Sequence, residues 1–133
     1  MTTELIDALR AMYAGGGPAA AGVLRPWLAD DFTFIPGGSQ DSHLQRTYIG
    51  PDGFIEFVQA QAEWTGGTWW PRLDELLIGE RWIVGVIFVD ATRARDGLRE
   101  QFQIIHRWEV AGDRLVSFQS FNNDQRRYDA FHS

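Results

Sequence analysis

The second half of the chain leaves little choice of architecture. Four stretches rich in β-branched and aromatic residues, 69–78, 82–94, 100–110 and 114–123, are separated only by Gly79-Glu80, residues 94–98 and Ala111-Gly112-Asp113. Links that short cannot carry a crossover, so successive strands are expected to run antiparallel as a meander. Residues 82–89 are apolar on both faces, the pattern of a strand covered on both sides.

The first half reads as helix. Thr3 is expected to cap a first helix, with Leu5, Leu9, Met12 and Tyr13 on its apolar side, and Gly15-Gly16-Gly17-Pro18 ends it. A short second helix is predicted over 19–25, before Pro26, and a strand over 31–35, closed by Pro36-Gly37-Gly38. Gly50-Pro51 opens a third helix with Phe54, Phe57, Val58, Gln61 and Trp64 near one face. Three helices before a run of strands make an α+β fold, a curved antiparallel sheet with the helices packed on one face. The length suits one domain, 1–133, with no repeat and no low-complexity segment.

Composition removes several chemistries. The chain has no cysteine, so disulfides, thiol nucleophiles and cysteine-bound metals are excluded. It has no lysine either, all twelve basic side chains being arginine, so no lysine is available for a Schiff base. A net charge of −6 and a pI near 4.9 argue against a nucleic-acid partner. The N-terminal residues are acidic where a secretion signal is basic, and no apolar run approaches a membrane span, so a cytoplasmic protein without a membrane partner is expected. His43, His106 and His132 lack metal-ligand spacing, and no phosphate- or dinucleotide-binding motif occurs, so neither a metal nor a cofactor is expected.

His106 stands out. Alternation along 102–110 puts Phe102, Ile104, His106, Trp108 and Val110 on one face, so His106 is the titratable group on an apolar stripe. It is either a hydrogen-bonded core histidine or a pocket imidazole able to serve as general acid or base. The aromatics give a second signal. Tyr13, Phe34, Tyr48 and Trp64 in the first half fall on inward faces or at element ends near the concave side. So do Trp70, Phe88, Trp108 and Phe118 in the second. Singly each is ordinary packing; together they could line a site for a flat apolar ligand, with Asn122 at its edge. Asp124 closes the last strand, either capping the following turn or accepting a proton at a cavity mouth. Asp90 is expected to pair with an arginine across the sheet, and Arg93, Arg95 and Arg99 to form a solvated hairpin surface.

Several strings resemble the SnoaL-like branch of the nuclear transport factor 2 and ketosteroid isomerase superfamily. They are Leu28-Ala29-Asp30-Asp31-Phe32, Phe34-Ile35-Pro36-Gly37-Gly38, Tyr48-Ile49-Gly50-Pro51-Asp52-Gly53 and Thr65-Gly66-Gly67-Thr68, then Ile105-His106-Arg107-Trp108, Gly112-Asp113, Phe121-Asn122-Asn123-Asp124 and Tyr128-Asp129-Ala130-Phe131. The resemblance implies a cone-shaped α+β barrel of curved sheet closed by three helices around an apolar pocket, and a homodimer through the outer face of the sheet. It places Pro36 where the isomerases keep a catalytic aspartate, His106 where they keep an oxyanion-binding acid, and Tyr13 near their helix-one tyrosine. The cyclases' pocket histidine and late aspartate correspond to His106 and Asp124. Arg72 and Asp74 have the mutual spacing of the epoxide hydrolases' pair, but on another strand.

Two functions follow as expectations. One is a cofactor-free isomerase or cyclase acting on a small apolar polyketide-, steroid- or terpenoid-like molecule. In it His106 moves a proton, Asp124 orients it, and Tyr13 or Tyr48 holds the developing oxygen anion. The other is a non-catalytic ligand-binding or dimerisation module. An enzyme built on His106 is expected to titrate between about pH 5 and 8, and a binder to be flat there.

Overall fold

The computed structural model describes residues 3–133. In chain order these form α1 (Thr3–Gly15), α2 (Pro18–Ala21), a 3-10 segment (Gly22–Trp27), β1 (Leu28–Ile35), β2 (Tyr48–Ile49) and α3 (Gly50–Trp64). Then come β3 (Arg72–Ile78), β4 (Trp82–Thr92), β5 (Arg99–Ala111), β6 (Arg114–Asn122) and α4 (Gln125–Phe131). The six strands form one sheet in the order β2-β1-β6-β5-β4-β3. β3 to β6 are the antiparallel meander demanded by the short links, and β1 joins the far side of β6 in parallel. That parallel pair, invisible to local patterning, makes the sheet mixed. The chain between β1 and β6 is long enough to cross over, as parallel pairing requires.

Register shifts interrupt the β1–β6, β3–β4 and β5–β6 pairings. Such irregularities bend a strand and increase its twist, so the sheet curls around the helices. The β5–β6 turn is two residues long, and Gly112 adopts φ +63° at its first position, a backbone that glycine takes without strain. α1 buries Leu5, Ala8, Leu9, Met12 and Tyr13 on the concave side, and α3 buries Phe54, Phe57 and Gln61.

β1 starts three residues before the expected 31, and β2 was not expected; four further differences each have a local reason. Thr3 is the first residue of α1 rather than its cap. The second helix divides into α2 and the 3-10 segment, which contains Pro26. β3 starts only at Arg72, because Trp69, Trp70 and Pro71 turn in to pack on the core and the cavity. The C-terminal residues, which carry no helical stripe long enough to notice, form α4. Asp124 accepts from the Arg127 backbone N–H at 3.0 Å there, so it is the cap of this helix.

The 93–98 hairpin is not simply a solvated surface. Arg93 is buried, holds Asp96 through two hydrogen bonds of 3.0 and 2.6 Å, and donates to the carbonyls of Ala130 and Phe131. It thereby latches α4 to the sheet. Arg99 and Asp90 pair across β4 and β5 at 2.9 and 2.6 Å, as the sequence suggested. Among the described residues, no helix is long and apolar enough to cross a membrane.

Candidate functional site

The concave face is organised as rows that cross the strands. One row runs Ile83–Trp108–Phe118–Phe34–Tyr48 through β4, β5, β6, β1 and β2. Its rings stack closely, Trp108 on Phe118 at 3.9 Å and Phe118 on Phe34 at 4.6 Å, and Phe57 of α3 meets Phe34 edge-on at 4.7 Å. The next row is Gly85–His106–Ser120, which is small and polar. Between that row, α1, α3, residues 69–71 and Tyr128 lies a cavity of about 60 Å³. For scale, a cavity of roughly 150 Å³ holds one benzene. A ring-sized molecule therefore needs the half-buried Trp69 and Trp70 at its wall to move.

The polar centre of this wall is a relay of three side chains. Trp108 Nε1 donates to Tyr13 Oη at 3.0 Å, and Tyr13 Oη lies 2.7 Å from His106 Nδ1. Gly85 leaves room beside the relay: a Cβ there would meet Tyr13 Oη at 3.5 Å, an ordinary contact, and Ile87 Cδ1 at 3.2 Å, so a side chain larger than alanine would crowd the phenol. Burial pushes the Tyr13 hydroxyl up and the His106 imidazole down to about 3. His106 is thus neutral throughout the range between about pH 5 and 8, which removes the titration expected of an ordinary imidazole. Its Nε2 takes part in no hydrogen bond among the described residues, and the ring lines the cavity.

A second buried histidine lies behind the cavity lining. His132 Nδ1 lies 2.9 Å from the Tyr128 backbone oxygen, and its Nε2 lies 2.9 Å from the Gln61 side-chain amide. Burial pushes this imidazole down to about 4. Gln61 and Tyr128 line the cavity, whereas His132 lies behind them.

The sequence candidates divide accordingly. Tyr13, Phe34, Trp70, His106, Trp108 and Phe118 line the cavity. Tyr48 and Trp64 are not among its lining residues: the Tyr48 hydroxyl donates to the Leu44 carbonyl at 2.8 Å, and Trp64 Nε1 donates to the Phe131 carbonyl at 3.0 Å. Phe88 is on the outer face, because Ile87 and Val89 have the inward parity of β4. Asn122 ties the end of β6 to the Gly37 carbonyl at 2.8 Å. Asp124, at the cap of α4, is exposed and pairs with Arg127, so it does not orient His106. Pro36 does line the cavity, so an apolar ring stands at the position that the resemblance gives to an isomerase's aspartate. No Asp, Glu or Arg is among the lining residues.

Sequence reasoning passed over several lining residues, the apolar Met12, Phe54, Phe57, Val58, Trp69, Pro71 and Ile104 and the polar Ser120, Gln61 and Tyr128. Ser120 had the inward parity of Phe118, Gln61 was a lone amide in an apolar helix stripe, and Tyr128 gave no signal beyond its string.

No protein-family model matches the chain, and no curated protein matches it in sequence. Solved structures do. A nuclear transport factor 2-like protein of unknown function from Burkholderia pseudomallei superposes with a TM-score of 0.81 at 17% identity, covering 99% of each chain. A hypothetical protein with a ketosteroid isomerase-like fold from Catenulispora acidiphila, in complex with trimethylamine, gives 0.73 at 14% identity over 100% of this chain and 94% of that one. A candidate SnoaL-like polyketide cyclase from Jannaschia gives 0.67 at 14% identity over 91% and 86%. The chain thus has the nuclear transport factor 2-like α+β fold, a fold in which ketosteroid isomerase-like and SnoaL-like proteins are also built.

Proposed function

We propose that this chain is a small-molecule isomerase or cyclase that acts on a neutral, mostly apolar carbonyl compound in the cavity beside His106. One observation carries the reading: a neutral imidazole, backed by Tyr13 and Trp108, stands in the wall of an otherwise apolar cavity with one ring nitrogen unclaimed. A buried polar group held on one side and open to a cavity on the other suits a substrate oxygen. In this reading His106 hydrogen-bonds the carbonyl oxygen and stabilises the charge that develops on it. Tyr13 acts through His106 rather than on the substrate, and Asp124 takes no part.

The non-catalytic reading has its own support. No carboxylate lines the cavity and His106 is a weak base, so a receptor for the same molecules needs nothing further. A panel of steroid-, polyketide- and terpenoid-like ketones separates the two. A ligand at a hundred times its Kd raises stability by about 2.7 kcal/mol. We expect such a melting shift in the wild type, reduced in His106→Ala, together with turnover of at least one ketone. A shift without turnover across the panel favours the receptor, and no shift with any ketone contradicts both.

We also propose that two copies pair through the outer face of the sheet. There Val86, Ile105 and Phe121 form an apolar row across β4, β5 and β6, and Phe121 is 41% exposed. Beside it the Arg107 guanidinium lies between the rings of Trp82 and Phe121, at 4.7 and 5.2 Å. Ile105→Glu is expected to shift a dimer towards monomer in sedimentation, and a monomeric wild type would contradict the pairing.

A further inference from the structure

We infer that Ser120 is the second group to hold the ligand's carbonyl: its hydroxyl and the His106 Nε2–H donate to the same oxygen, and together they fix the plane in which the carbonyl lies. This rests on the small-molecule reading above and adds to that site a residue that orients the ligand.

The placement comes from strand register. Ser120 stands directly opposite His106 in the β5–β6 pairing, two residues along from the stacked Trp108 and Phe118. Both side chains share the inward parity of that aromatic pair, and both line the cavity. Side chains facing each other in an antiparallel pair start about 4.5–5.5 Å apart at Cβ. On the other flank of His106 the row continues with Gly85, which has no side chain to offer. Ser120 is therefore the polar neighbour of His106 in its row.

The chemistry comes from counting protons and partners. Indole Nε1–H can only donate, so Tyr13 Oη accepts from Trp108 and gives its own proton to His106 Nδ1 at 2.7 Å. The neutral imidazole then carries its proton on Nε2. His106 cannot take up the Ser120 proton at a nitrogen already protonated, so the two are not a nucleophile and its base. Among the described residues neither Nε2 nor the Ser120 hydroxyl has a hydrogen-bond partner. Neither atom is sealed in: the enclosed unpaired polar atoms of the described side chains are Gln61 Nε2, Arg107 Nε and Asn122 Oδ1. Two free donors thus open side by side on one cavity wall. Donors about 2.9 Å from one oxygen, along its two lone-pair directions, stand roughly 5 Å apart, which matches the spacing of opposite side chains. A carbonyl oxygen accepts near its own plane, so one donor leaves the group free to swing and two hold it.

Infrared spectra of bound butanone, carbon-13-labelled at its carbonyl, test this, because each hydrogen bond to the oxygen lowers the C=O stretching frequency. Ser120→Ala, and Ser120→Cys, which keeps the side chain's shape but donates weakly, should each raise the band above its wild-type position and weaken butanone about three- to ten-fold. His106→Ala should raise the band as well. A band left in place by either serine variant, or by His106→Ala, overturns the shared oxygen. If His106→Ala alone moves it, the proposed function stands without Ser120. If butanone does not bind the wild type at the cavity, the small-molecule reading itself fails and the role of Ser120 with it.

Discussion

His106 and His132 are built alike and placed differently. Each is buried, each is held neutral by that burial, and each is bonded to a tyrosine, His106 to the Tyr13 hydroxyl and His132 to the Tyr128 backbone carbonyl. His132 has both ring nitrogens engaged and is packed against Tyr128, Phe131 and Trp69. His106 has one nitrogen engaged and the other free at a cavity. Burial and perturbed basicity are therefore common to a structural and a candidate functional histidine. What separates them is the unclaimed nitrogen, and it is this that makes a depressed pKa informative in one place and not in the other.

The largest effect expected concerns both residues. Each has a folded-state pKa below the ordinary histidine value of about 6.5, so the unfolded chain takes up the proton first. Stability is whole above about pH 6.5 and is lost as the pH falls towards 4 and then 3, by roughly 3–4 kcal/mol in total at pH 5. Denaturant melts from pH 8 to 4 measure this, and each His→Ala variant should remove about half of the acid slope. A slope untouched by either variant would assign the loss to other groups.

Side-chain removal should split the pair. His132→Ala strands Gln61 and leaves a void, at a cost of about 3 kcal/mol in urea melts. His106→Ala should instead lower turnover about a hundred-fold, the usual cost of losing one donor to a developing oxyanion. If His132→Ala abolished turnover in a protein that stayed folded, the contrast would be wrong. Gly85→Val sharpens it further. The added methyls displace the Tyr13 hydroxyl, at about 1–3 kcal/mol, and should move the His106 nitrogen resonances while leaving those of His132 in place. The smallest effect is Asp124→Ala, which removes the α4 cap at about 1 kcal/mol and should leave ligand affinity unchanged.

How much of this was legible in the sequence follows from range. The meander, α1 and α3 are written in alternation, turn residues and stripes that span a few positions. The inward parity of His106 and Trp108 came from the same local rule. Phe88 was misplaced because β4 is apolar on both faces, so alternation has no contrast to read there. The parallel β1–β6 pair, the Tyr13–His106 bond across 93 positions and the Gln61–His132 bond across 71 depend on which elements meet, and no local pattern encodes that. Asp124 had two readings at the sequence level, and a seven-residue helix without an apolar stripe decided between them.

The most direct test of the contrast is a ligand titration followed through the side-chain nitrogens of all three histidines, with butanone as the probe. We predict that the His106 Nε2 resonance moves with saturation, that His132 stays in place, and that neither changes protonation between about pH 5 and 8. A His132 response equal to that of His106, or a silent His106 in a protein that binds the probe, would contradict it.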